Sequence, residues 1–219
     1  MISACIMAHR QRKEWAEDLS RRLDAEIVWD KRNDRIETGL RCLKAYDKQA
    51  SHHLILQDDA IICQDLIAGL EEAVKVAGDD RILVLYFGAG RPISRPRLDQ
   101  LARGADEQKA SFIAWPGTMW GVALVLPVAH IEALTTSYQF QPSKNYDTGL
   151  ENAARRRRVR WWYPWPSLVD HRDFPENPTI AHPDHPHAKK PGRVAYRFIG
   201  ADSSALSVDW TAGVYEARR

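Results

Sequence analysis

At 219 residues the chain has room for one sizeable α/β domain, or one domain with a small appendage. Its 44% hydrophobic and 27% charged residues are ordinary for a globular protein, and a formal net charge of +2 excludes a polyanion binder by bulk charge. Three dispersed cysteines, Cys5, Cys42 and Cys63, exclude a disulfide framework or a zinc ribbon and fit a reduced, cytoplasmic setting. The apolar start at Met1–Met7 runs at once into charge, unlike a secretory leader, and no stretch reaches membrane-spanning length.

Ile2 to Met7 reads as a first strand ending at His9 and Arg10. Trp15, Leu19 and Leu23 recur every four residues and predict a helix with one apolar stripe. Ile27, Val28 and Trp29 form a second strand that stops at Asp30, and a polar loop follows through Arg35. A helix opening at Thr38 carries Leu40, Leu43 and Tyr46. Leu54–Leu56 is too short for a helix and reads as a buried strand, which runs into Gln57-Asp58-Asp59. Asp65 then caps a helix with Leu66, Leu70, Ala73 and Val74 on one face. Ile82 to Phe87 is a fourth strand, broken by Gly88, Gly90 and Pro92. This alternation predicts an α/β fold, a mostly parallel sheet with helices on both faces.

Residues 92–108 read as charged and irregular. Gly121 to Leu126 is a further apolar strand, with Pro127 opening a short helix through Leu134. Asn145 to Arg158 is helical and ends in four arginines, and Val159 to Tyr163 is a strand. From Phe174 to Pro191 the chain is rich in Pro and His without periodicity, an extended tail wrapping the domain. Five of the eight tryptophans fall between Trp115 and Trp165, more than core filling asks for.

The chemistry concentrates at Asp58 and Asp59. Open α/β sheets bind ligands at the carboxyl ends of their strands, where this pair sits. Two adjacent carboxylates repel unless a cation, hydrogen-bond donors or a raised pKa intervenes. A hard divalent cation that also holds a diphosphate is one answer. A solvated turn is the other.

With Leu54-Ile55-Leu56-Gln57-Asp58-Asp59-Ala60 at its centre, the order of elements resembles glycosyltransferases of the GT-A fold. It is most similar to those that write the motif as Glu-Asp-Asp, as in the lipooligosaccharide and collagen galactosyltransferase family. Gly117-Thr118 looks like that family's Gly-Thr segment, and Asn145-Tyr146-Asp147 falls where the family has a Tyr/Asp acceptor-side motif. The Asn33-Asp34 loop, Trp120-Gly121 and the segment from Ser167 to Asp173 resemble small phage-encoded glycosyltransferases. One departure is Gln57, where the family usually has an acid; an amide ligates metal more weakly.

The resemblance implies a GT-A-like catalytic domain over residues 1–173, with a nucleotide-sugar half at about 1–90 and an acceptor half at about 110–173. Residues 174–219 form the tail. It implies an inverting transfer from a UDP-sugar, assisted by Mn²⁺ or Mg²⁺, in the cytoplasm (the host's, if phage-encoded). Asp59 is expected as principal metal ligand with His171, a turn histidine being the alternative role for the latter. Asp58 would face sugar or ribose hydroxyls. Asp147 is the expected general base, a role compatible with helix capping. Ala8, His9, Arg10, Asp30, Asn33, Asp34 and Arg35 are expected around the nucleotide, and Arg193 and Arg197 on the diphosphate.

For the acceptor, Arg155, Arg156 and Arg158 with Trp161 and Trp162 combine phosphate-neutralising charge with rings that stack bases. Trp120 and Gly121 would also line the acceptor side. Together with the resemblance, this points to DNA, with 5-hydroxymethylcytosine accepting the sugar. The alternatives are a serine or threonine of a virion or host protein, or a non-catalytic nucleic-acid-binding module. The arginines also suit a helix C-terminus, and the tryptophans a core. His182, His185 and His187 have metal-like spacing but read as a solvated polar tail.

Overall fold

The computed structural model describes residues 1–89, 94–118, 120–136, 146–173, 175–176 and 191–216. The first strand, β1 (Ile2–Ala8), passes through a 3-10 turn at Arg10–Arg12 into α1 (Lys13–Leu23) and β2 (Glu26–Trp29). Helix α2 spans Arg35–Lys44, and β3 (His52–Gln57) follows. Next come β4 (Ala60–Ile62), α3 (Leu66–Ala77) and β5 (Arg81–Val84). Helix α4 (Arg95–Glu107) leads to β6 (Phe112–Trp115), β7 (Ala123–Pro127), α5 (Val128–Thr136) and α6 (Tyr146–Arg156). The last strands are β8 (Arg160–Pro164), β9 (Val169–His171) and β10 (Val214–Glu216).

Eight strands make one twisted sheet in the order β10-β6-β8-β5-β7-β3-β1-β2. The pairs β1–β2, β1–β3, β5–β8 and β6–β10 are parallel, whereas β7 runs antiparallel to both β3 and β5, and β6 to β8. Strand alternation sends successive side chains to opposite faces. Leu54 and Leu56 pack with Leu19, Leu70 and Val74 on one face. Ile55 packs on the other with Leu43, Leu98, Ile131 and Leu150. The sheet is therefore a middle layer between two sets of helices, as the hydrophobic runs predict.

Local chemistry explains where the elements differ from expectation. Helix α2 opens at Arg35, not Thr38, because the Asp34 carboxylate accepts the N–H groups of Ile36 and Glu37 at 2.9 and 3.0 Å. Residues 95–107 are helical, not irregular: Leu98, Leu101, Ala102 and Ala105 form a buried stripe at spacings of three and four among exposed charges. Asp65 does not cap α3 with its side chain; its φ is 52°, and its carboxylate accepts the Ser204 hydroxyl at 2.6 Å. The tail is more than a wrapping, because β10 is the edge strand of the main sheet. The cysteines are free and buried. No helix among the described residues is long and apolar enough to cross a membrane.

One buried polar cluster ties β1, α2 and β3 together. His53 is fully buried, with Nδ1 2.9 Å from Ser3 Oγ and Nε2 donating to Cys42 O at 3.0 Å. Its neutral form thus satisfies both ring nitrogens, and burial holds its pKa below the usual 6.5; burial does the same at His52. The unfolded chain therefore binds these protons first as pH falls. Stability is expected to drop below about pH 6.5, by up to roughly 1.4 kcal/mol per pH unit for each histidine. Urea unfolding of wild type and His53→Gln between pH 7 and 5 checks this. The variant should be weaker at pH 7 and show a shallower acid dependence, and equal slopes would contradict it.

Candidate functional site

The carboxyl ends of β1 and β3 lie side by side, and Asp58 and Asp59 follow β3 there. A short antiparallel ladder between β4 and β9, registering Ala60 with His171, folds the far end of the chain back onto this point. It brings His171 Nε2 to 3.2 Å from Asp59 Oδ2. Arg172 N also donates to Asp59 O at 3.0 Å. Asp59 and His171, distant in sequence, are thus brought together.

Two guanidinium groups close the centre. Arg12 Nη1 lies 3.0 Å from Asp58 Oδ1 and 2.7 Å from Asp59 Oδ2. Arg193 Nη2 lies 2.9 Å from His171 Nε2. Nε2 thus sits between a donor, Arg193, and an acceptor, Asp59 Oδ2, and the ring tautomer sets which of the two it bonds. Nδ1 is buried without a hydrogen-bond partner among the described residues. The strap that carries Arg193 is anchored by Asp173, which accepts the N–H groups of Gly192 and Arg193, and by Asp170, which accepts Ala195 N at 2.6 Å. Nothing in the sequence marks Arg12 among the charges of residues 9–14; only the 3-10 turn aims it back at the carboxylates.

Asp58 also accepts His9 N at 2.7 Å, so both its oxygens hold the turn after β1. Burial, then the neighbouring Asp59, raises its pKa to about 6, against the pull of Arg12 and His9 N–H. In this structure Asp58 organises the turn; facing sugar or ribose hydroxyls would be an added task.

The donor set fits a hard cation. Asp59 Oδ2 and His171 Nε2 converge at 3.2 Å, and in the Nδ1–H tautomer both offer a lone pair. Bonds of about 2.1 Å set adjacent octahedral ligands about 3 Å apart, and ions of the Mg²⁺ type take few protein ligands and complete their shell with phosphate and water. No cluster of three His, Cys, Asp or Glu donors forms among the described residues. Gln57 is turned away from this work, its side chain bonding to Tyr146, whose hydroxyl donates to Gly121 O.

Through that link Asp147 joins the same end of the sheet. It lies in the first turn of α6, half-buried, and accepts Thr148 N at 2.8 Å. Burial and then Glu151 raise its pKa, opposed by the Thr148 N–H and Arg35. A Cβ on Gly121 would sit 2.9 Å from Asp147 Cβ and 3.0 Å from its Oδ2, so only glycine leaves the carboxylate in place. Trp120 meets Tyr86 edge-on at 5.7 Å, and Tyr86 lies 6.1 Å from His171, giving the centre an aromatic wall.

Other expected residues take structural roles. Asp30 accepts the N–H groups of Arg32 and Asp34, and Asp30 N donates to Ala8 O, which shapes the loop after β2. Asp34 is used as the α2 cap, Asn33 is exposed at φ 55°, and Arg10 is exposed on its 3-10 turn. Arg197 is not a diphosphate clamp here: it pairs with Asp106 and covers Trp165.

The stacking surface is corrected outright. Trp161 and Trp162 are 1% and 6% exposed, on opposite faces of the sheet interior, because β8 is a central strand and its alternate residues enter the two cores. Arg155, Arg156, Arg157, Arg158 and Arg160 are exposed, with Arg155 paired to Glu151. They precede β8, which runs in the same direction as β3, so they lie at the opposite end of the sheet from Asp59. Along α6 (Tyr146–Arg156), Asp147 and Arg156 stand at opposite ends, about 14 Å apart by helical rise. Asn145, His182, His185 and His187 lie outside the described residues.

No family model matches the sequence, and no curated protein matches it significantly.

Proposed function

We propose that the protein is a GT-A-type glycosyltransferase that moves a sugar from a UDP-sugar to an acceptor hydroxyl with inversion. The observation that carries this is the convergence of Asp59 Oδ2 and His171 Nε2 at 3.2 Å beside two arginines, at the carboxyl end of β3. Asp59 and His171 would hold Mn²⁺ or Mg²⁺. Such an ion supplies Lewis acidity to the leaving diphosphate. Arg193 adds hydrogen bonds to phosphate oxygens, which a guanidinium matches well. Asp147, with its pKa raised by burial, takes the proton from the acceptor hydroxyl. One base and one displacement invert the anomeric centre. Gly121 leaves Asp147 room, and Trp120 with Tyr86 shields the reacting sugar from water.

For the acceptor, the reading is 5-hydroxymethylcytosine in DNA, with the arginine run holding backbone phosphates away from the reaction centre. The buried tryptophans lend it no support. An acceptor that reaches both Asp147 and the run spans about 14 Å, roughly four base pairs of duplex. Replacing Arg156, Arg157 and Arg160 by Ala is expected to flatten the salt dependence of DNA binding by about 3 in log–log slope. UDP binding and hydrolysis of the donor should be unchanged. Labelled sugar should still reach hydroxymethylated DNA, only at higher DNA concentration. An unaltered salt slope would remove DNA as acceptor and leave a protein hydroxyl. DNA binding without any use of UDP-sugar would leave the non-catalytic module.

A further inference from the structure

We propose that Arg12 is an exchangeable counter-cation: it competes with a divalent cation for Asp59 and passes to the diphosphate when cation and donor enter together. This rests on Asp59 and His171 being the cation ligands.

The argument is one of charge and burial. The side chains of Asp58 and Asp59 are only 4% and 3% exposed, and Arg12 is 14% exposed. Arg12 touches both carboxylates and Arg193 touches His171 beside them, so the groups in direct contact already balance one another, with Asp170 and Asp173 behind Arg193. A bare divalent cation would add two positive charges to that buried centre, beside two guanidiniums. A cation carrying the diphosphate of a UDP-sugar adds no net charge, and charges leaving water are tolerated only when paired. Competition is also atomic. Arg12 binds the oxygen of Asp59 that faces His171, and Arg193 binds the nitrogen of His171 that faces Asp59. A cation held by these two atoms would have to displace both guanidiniums from them. Diphosphate oxygens are the natural new partners, since two oxygens of one phosphate accept a guanidinium bidentately, as a carboxylate does. Arg12 ends a three-residue 3-10 turn, and its long side chain can cover the shift without the strand moving.

Mn²⁺ binding, read from the paramagnetic resonance signal of free Mn²⁺, tests this with and without UDP. In the wild type, UDP should tighten Mn²⁺ binding at least tenfold beyond what UDP does in solution. Arg12→Gln should bind Mn²⁺ alone at least tenfold more tightly than wild type and lose most of the UDP effect. Arg12→Lys keeps the charge but not the fork, so it should bind Mn²⁺ alone no more tightly than wild type yet lose part of the UDP effect, and it carries the comparison if Arg12→Gln fails to fold. An Arg12→Gln protein that binds Mn²⁺ no more tightly than wild type, or a wild type with no UDP effect, overturns the exchange and leaves the cation site standing. No Mn²⁺ bound by any of them, even with UDP, overturns the cation site itself and the exchange with it.

Discussion

Asp147→Asn is expected to lower turnover by about 10²–10⁴-fold while UDP-sugar affinity stays within a factor of two. Asparagine keeps the shape, and its carbonyl oxygen can still accept Thr148 N, the bond that Asp147 makes in the first turn of α6. What it loses is the ability to take a proton. The wild-type rate should rise with pH through a pKa above the usual 3.8, the direction that burial dictates, and this limb should vanish in the variant. Stability separates the role from a structural one. A carboxyl with a raised folded pKa binds its proton more tightly in the folded chain. Its contribution to stability is therefore lost as pH rises through that range and stays unfavourable at neutral pH. Asp147→Asn should consequently melt no lower than wild type at pH 7. A large fall in melting temperature matched by the loss of rate would mean that the residue only holds α6.

Asp59→Asn is expected to abolish the effect of Mn²⁺ on UDP binding, a loss of 100-fold or more in affinity, on the order of 3 kcal/mol. The carboxamide oxygen can still accept from Arg12, so the turn after β1 should survive, but the charge that attracts the cation is gone. The same substitution at Asp58 should act differently. Asp58 holds His9 N and Arg12, so its loss should first disturb the turn and lower stability. Calorimetric titration of UDP with Mn²⁺, beside thermal melts, separates the two. Equal behaviour of the two variants would contradict the division of labour between these neighbours.

Much of the framework is legible because alternating apolar runs dictate it. The strand before Asp58 and Asp59 is bounded by polar residues on both sides and has no room to be a helix, so its end is readable. The contact between Asp59 and His171 is different in kind. It depends on a three-residue ladder, β4 with β9, too short for periodicity to register. The position of β7 is likewise hidden, because an apolar pentapeptide carries no direction, and only the fold inserts it antiparallel between β3 and β5. Helix α4 is masked by the charges on its outer face. The tryptophans after the arginine run mislead for a related reason. Rings beside cations look like a binding surface in one dimension, whereas the turn at Arg157 and Arg158 sends the cations outward and the rings into a central strand. Arg12 and the Gln57–Tyr146–Gly121 link are tertiary facts with no local signature.

The most direct test of the account is a calorimetric titration of UDP into the wild-type protein, once with Mn²⁺ and once with chelator. The account predicts saturable heat with Mn²⁺ and a dissociation constant weaker by about 100-fold or more with chelator. No heat under either condition would contradict a nucleotide-sugar site at Asp59 and His171.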